Sequence, residues 1–359
     1  MFDRCNSVHN RRGRGAKAYA LILFSREFNR ERIAAARFAL EGSLKAFFCM
    51  LVSALLIASV TTGSASQIST DGRTAVPRDV QQLVVIDYRI LQESSAGMEL
   101  RNRVMLPELK QLEESLRKSG LNDNHDVEQL AFVIFRSHAD SDETMIAGIA
   151  QGQFSMQDVL ANFRKQKVKP VLVRTNKVYP MGTSGMQVAF LDASTLVFGS
   201  TPAIRAALDA HDGQSPNMLS NNSIMDAMRS IDSEPLWSIL DKKGTETMLR
   251  SALGDAGSLT DFDTVRKRLQ ASYYTMNFQH GVHFDLTIVT GDTFAAAAMS
   301  SLMSAAVMLR KATGSQAEKS ALAATTVSSD SGKLTLRFAS SEAEFDNLLK
   351  SPLFSSIIH

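Results

Sequence analysis

No charged residue occurs between Lys45 and Asp71, and the first fifteen positions of that stretch, Ala46–Val60 (AFFCMLVSALLIASV), are almost wholly apolar. Lys45 precedes the run and a small-residue segment, Thr-Thr-Gly-Ser-Ala-Ser, follows it. A basic flank, a short apolar core and small residues make an export signal, with Gly63 and Ala65 at the −3 and −1 positions of a signal-peptidase cut before Ser66. A helix needs about 20 apolar residues to cross a bilayer. Residues 45–65 therefore read either as a signal peptide or as a single transmembrane helix, which would hold the protein to the membrane through residues 46–62. Both readings leave the Arg-rich side in the cytoplasm and the C-terminal body in the periplasm or outside the cell. The 44 residues before the run exceed an ordinary basic flank, so residues 1–44 are expected to be a cytoplasmic tail or the product of a start assigned upstream of one near Leu44.

The formal charge of +2 conceals a division. Residues 1–45 hold ten Lys/Arg and four Asp/Glu, leaving 29 basic (39 less 10) and 33 acidic (37 less 4) groups for the rest. A mildly acidic body argues against nucleic acid as a partner. Both cysteines, Cys5 and Cys49, precede Ser66, so a body starting there has neither a disulfide framework nor a cysteine metal site.

Residues 66–79 are polar with Gly and Pro and read as a linker. Alternating apolar patterns then predict a first strand at Leu83–Leu91, a helix from Leu106 to Ser119 stopped by Gly120, and a strand pair at Val127–Ser137 and Met145–Phe154. Ser155 is placed to cap a helix reaching Gln166. Strands at Pro170–Tyr179, Met186–Asp192 and Thr195–Gly199 precede a helix opened by Thr201-Pro202. After a loop at 212–222 the order recurs: strand Pro235–Leu240, helix Thr245–Leu253, a hairpin turning at His280-Gly281, the long helix Thr293–Arg310, strand Leu334–Ala339 and helix Glu342–Leu349. The expected fold is α+β, two tandem units at 80–212 and 220–359 whose shared pattern suggests internal duplication, each an antiparallel sheet with helices packed on one face. Helix Thr293–Arg310 is apolar nearly all round and reads as a buried central helix.

Motifs for chemistry are missing. Gly182-Thr183-Ser184-Gly185 lacks the Gly-x-Ser-x-Gly spacing of a hydrolase elbow, and no zinc-protease, P-loop, dinucleotide or calcium-loop pattern occurs. His280 and His283 straddle a predicted turn, and His125 and His138 fall in predicted loops, so no catalytic, cofactor-binding or metal-binding residue is assigned. The one polar feature on a predicted central strand is Asp87 with Arg89, which alternate with Ile86, Tyr88 and Ile90 as a polar strand face.

The Asp87-Tyr88-Arg89 strand, the Gly152-Gln153-Phe154 strand end and the Phe190–Gly199 hairpin together resemble bacterial exported envelope proteins of unknown function over residues 80–210. That resemblance implies an uncharacterised envelope protein and carries no catalytic residue. The expected role is a non-enzymatic binding or interaction module, with an envelope protein, peptide or lipid as partner. The alternative is an exported hydrolase whose site is assembled from distant residues.

Overall fold

In the computed structural model of the protein, residues 67–121, 123–136, 143–183, 185–253 and 266–351 are described. Helix α1 (Thr70–Thr74) leads into β1 (Val80–Asp87), followed by α2 (Tyr88–Gln92), α3 (Ser95–Val104), α4 (Pro107–Lys118) and the short α5 (Asp123–Asp126). A hairpin of β2 (Val127–Arg136) and β3 (Thr144–Gly152), then α6 (Met156–Lys165), comes next. Strands β4 (Val171–Val173), β5 (Asn176–Met181), β6 (Met186–Phe190) and β7 (Thr195–Gly199) end in α7 (Thr201–His211). The second half contains α8 (Asn222–Met228), β8 (Leu236–Leu240), α9 (Lys242–Leu253), β9 (Leu269–Asn277), β10 (Val282–Thr290), α10 (Thr293–Thr313), α11 (Gln316–Ala323), β11 (Thr325–Asp330), β12 (Lys333–Ser340) and α12 (Glu342–Leu349).

The fold is α+β, as expected, and the two tandem units share one sheet. Among the described residues its twelve strands run β11-β12-β10-β9-β8-β1-β2-β3-β7-β6-β5-β4, and every neighbouring pair is antiparallel. The halves meet at β1 and β8, with Val84 opposite Ser238 and Val85 opposite Trp237. Outward from that seam both halves lay down a lone strand, a hairpin and a second hairpin in the same spatial order, β1-β2-β3-β7-β6 on one side and β8-β9-β10-β12-β11 on the other. The first half then adds β5 and β4.

Side chains alternate across a strand, so the sheet has two cores. On one face a cluster runs the whole width, from Phe163 of α6 and Leu112 of α4 to Leu249 of α9, Met299 of α10 and Phe345 of α12. On the other face Ile204 and Leu208 of α7, Ile224 and Met228 of α8, and Val76 pack on Leu83, Val85, Val197 and Trp237. Helices thus cover both faces of the first half and of β8, and one face of the second half from β9 outward. The helical segment Thr201–His211 is apolar enough to bury Ala203, Ile204, Ala207, Leu208 and Ala210 together, which is why it claims the second face.

Several sequence readings change. The stretch 66–79 is not a free linker from Gln67 onward: Ile68, Ala75 and Val76 are buried, and Met218 N donates to Val76 O at 2.9 Å. The first strand ends at Asp87, and Tyr88–Gln92 is helical. The long helix α10 buries Ala295, Ala296, Met299, Leu302 and Met303 but exposes Phe294, Met308 and Leu309 (80%, 70% and 49%), so it is a layer helix with a bare apolar side rather than a central one. It is also long and apolar enough to cross a membrane.

Candidate functional surface

The second face of the sheet loses its cover partway across. The cluster beneath α7 and α8 reaches Trp237 and Ile239 on β8 and ends with Tyr273 of β9 packed at its margin. Beyond that margin, registers align the polar residues of four strands in rows. Thr275, Asp285, Arg337 and Thr326 form one row, and Tyr273, Thr287, Thr335 and Ser328 form the next. A third row places Asn277 beside His283 and Ala339. Arg337 Nε donates to Asp285 Oδ1 at 2.9 Å, with both side chains well exposed (72% and 49%). Asn277 Nδ2 donates to Glu234 Oε2 at 3.3 Å at the inner border. The result is a hydrogen-bonding patch rich in hydroxyls, with Tyr273 at its inner border. This arrangement can recognise a polar surface, because its donors and acceptors are displayed on a rigid sheet rather than on loops.

The residues that build it follow from alternation. In β9, β10 and β12 the apolar Tyr274, Met276, Leu286, Ile288, Leu334 and Leu336 point to the helices, leaving the intervening positions for the other side. Sequence reasoning missed this surface. The alternation was visible in YYTMN, HFDLT and KLTLRF, but the missing helical cover was not.

At the seam the helix-bearing face holds a buried polar cluster. Gln82 Nε2 donates to Ser238 Oγ at 3.3 Å, and the Tyr274 hydroxyl hydrogen-bonds with both side chains. Thr245 and Ser272 pair at 2.9 Å on the next step outward. Burial pushes the Tyr274 phenol well above its ordinary value, since the phenolate would lie in an apolar core. This cluster joins the halves and is closed to solvent.

A cavity of about 60 Å³ lies between α4 and the sheet, lined by Leu109, Leu112, Leu116, Leu130, Leu196 and Phe198 among others. Its one charged lining residue, Glu113, accepts from Arg101 at 2.8 Å and from Arg117 at 2.6 Å. The space suits a few methylene groups.

Asp87 and Arg89 do not form a polar strand face. Asp87 ends β1 and caps α2, its Oδ1 accepting from Arg89 N at 3.1 Å and Ile90 N at 3.2 Å, while Arg89 is helical and ion-pairs with Glu128. Both serve the local turn from strand to helix. Gly63, Ala65 and Ser66 lie outside the described residues, as do His138 and Ser184. His280 sits in the β9–β10 turn with φ 61°, and His283 lies on β10 facing the polar patch. Among the described residues no group of three or more His, Cys, Asp or Glu side chains could hold a metal ion.

The chain matches no protein-family model and no curated protein. Among solved structures, crystal form I of a protein designated TP0453 is similar at 10% identity and a TM-score of 0.46, covering 78% of this chain and 97% of that one. Crystal form III of the same protein gives 8% identity and a TM-score of 0.42, covering 80% and 98%.

Proposed function

We propose that the protein is a bacterial envelope protein, exported or held by one N-terminal span, that acts as a binding module through the polar sheet face of its second half. The observation that carries the reading is the end of the second core at Tyr273, which leaves Thr275, Asp285, Thr287, Thr335 and Arg337 on a face with no helix packed over it among the described residues. The uncharged run from Ala46 supports the compartment. A sheet face of this polarity suits a protein or peptide partner, whose backbone and side chains can meet a fixed array of donors and acceptors.

The test is site-specific photocrosslinking in the native envelope from Thr287, Thr335 and Arg337, with exposed Arg205 on α7 as the control position. A discrete adduct from the three face positions and none from Arg205 is expected. Adducts of equal pattern from all four, or none from the face, would overturn the reading. Fractionation with intact mass tests the compartment separately: an exported species beginning near Ser66, or a membrane-bound one retaining residues 46–62, agrees with it, and a soluble cytoplasmic chain does not.

A further inference from the structure

Among the described residues the sheet ends on an open edge at β11. In the first half the corresponding strand, β6, is covered by β5 in register from Val178 opposite Ala189 to Met181 opposite Met186. Among the described residues the second half supplies no such strand, so there alternate N–H and C=O groups of β11 face outward. Soluble proteins usually blunt an edge with Lys, Pro or a bulge. Strand β11 reads Thr-Thr-Val-Ser-Ser-Asp, pairs with β12 in unbroken register from Thr325 to Asp330, and has none of these devices.

A second observation lies beside the first. On the helix-bearing face α3, α12, α11 and α10 follow one another as a layer, and α10 is the outermost, lying against β11. One flank of α10 meets α11. Its solvent side exposes Phe294, Ala297, Ser301, Ala305 and Met308 at one-turn spacing, with Leu309 alongside.

We propose that β11 and this α10 stripe form a self-complementary, two-fold interface between copies of the chain. Pairing β11 antiparallel with its twin, with like faces together, allows a register centred on Val327. Val327 then meets its own copy under the helices, and Thr326 meets Ser328 twice on the polar face. No like charges are opposed in that register, since Asp330 falls beyond the twin's Thr325. Neighbouring strands lie about 4.8 Å apart, so two α10 helices seated over the β11 and β12 strands of adjoining copies come to about 10 Å, the spacing of packed helices. The small Ala297, Ser301 and Ala305 permit that approach, and Phe294, Met308 and Leu309 supply the apolar area that a six-residue ladder alone lacks. The same operation places the two polar faces side by side on one continuous sheet. The inference goes beyond the proposed binding role and does not depend on it.

Sedimentation of the natively processed protein over a range of concentrations tests it. A reversible dimer is expected. The double variants T326K/S328K and T326E/S328E, at exposed positions, should each weaken it at least tenfold, whereas an equimolar mixture of the two should restore dimer, because opposite charges then meet in the 326–328 register. Met308→Lys, on the exposed side of α10, should weaken it comparably, and circular dichroism checks that each variant is folded. A protein that stays monomeric at all concentrations overturns the proposal, as do a dimer that ignores these charges and open-ended assemblies that would indicate pairing through β4 instead.

Discussion

Gly148 shows how closely the first half is packed. It lies on β3 between Phe132 of β2 and Phe198 of β7, whose rings meet edge to face with centroids 5.9 Å apart. A Cβ at this position would stand 2.0 Å from Phe198 Cζ, so Gly148→Ala must push that ring out of its packed position and toward the cavity under α4 that it lines. A loss of about 1–3 kcal/mol is expected in chemical denaturation, and Phe198→Leu in the same chain should recover part of it; additive losses would show that the ring is not the cause. Tyr274 supports a second prediction of opposite origin. Its phenol is raised by burial, so the unfolded chain ionises first and the stability due to the neutral hydroxyl is lost as pH rises past the ordinary value near 10. Tyr274→Phe should cost about 1–3 kcal/mol at pH 8 by leaving Gln82 and Ser238 short of a partner, and the gap to the parent should narrow toward pH 11. A gap that stays constant would place the phenol outside the titration. Asp87 belongs at this scale as well. Its alternation with apolar neighbours was legible, but a carboxylate at the end of a strand can serve the next helix as a cap, and only the backbone course after Asp87 distinguishes the two.

Among elements, the long periodic ones were legible and the short ones were not. The leucines of α4, the β2–β3 pair, the His280-Gly281 turn and the Thr201-Pro202 helix start all stand within a few residues of where pattern places them, because each repeats its signal several times. The five-residue α2, the seven-residue α8 and edge strand β11 repeat theirs once or twice, and their neighbours decide them. Helix α10 was legible in extent but not in setting, since a sequence apolar nearly all round does not say which side the sheet will take. Its start depends on Asp292, whose Oδ1 accepts from Ala295 N at 2.8 Å. That backbone hydrogen bond, with help from Arg268, holds the carboxyl below its ordinary range. A lowered value means stability that is present above the unfolded carboxylate range and lost as pH falls from that range through the lowered folded-state value. Asp292→Asn keeps an acceptor but not the charge. The variant should melt below the parent at pH 6 and approach it near pH 3, and a difference independent of pH would show that the cap works through geometry alone.

For the whole molecule, the recurring order of elements was readable from the chain, whereas the joining of the halves was not, because both β1 and β8 look like ordinary central strands and nothing local says that they pair. Joined there, the halves cannot be independent. The helix-bearing core runs unbroken from Val188 to Leu334, the other core buries Trp237 of the second half against residues of the first, and Gln82, Ser238 and Tyr274 bridge the seam. Separating the halves would expose both cores and strip partners from a buried polar cluster, so unfolding of one half should carry the other with it. The protein has one tryptophan, Trp237, and it reports from the seam. Its fluorescence and the far-ultraviolet circular dichroism should therefore change over the same range of denaturant, and the substitution Ser238→Ala should move both midpoints together. A Trp237 transition complete before the circular dichroism changes would mean that the seam opens first and that the two halves of the sheet are stable apart.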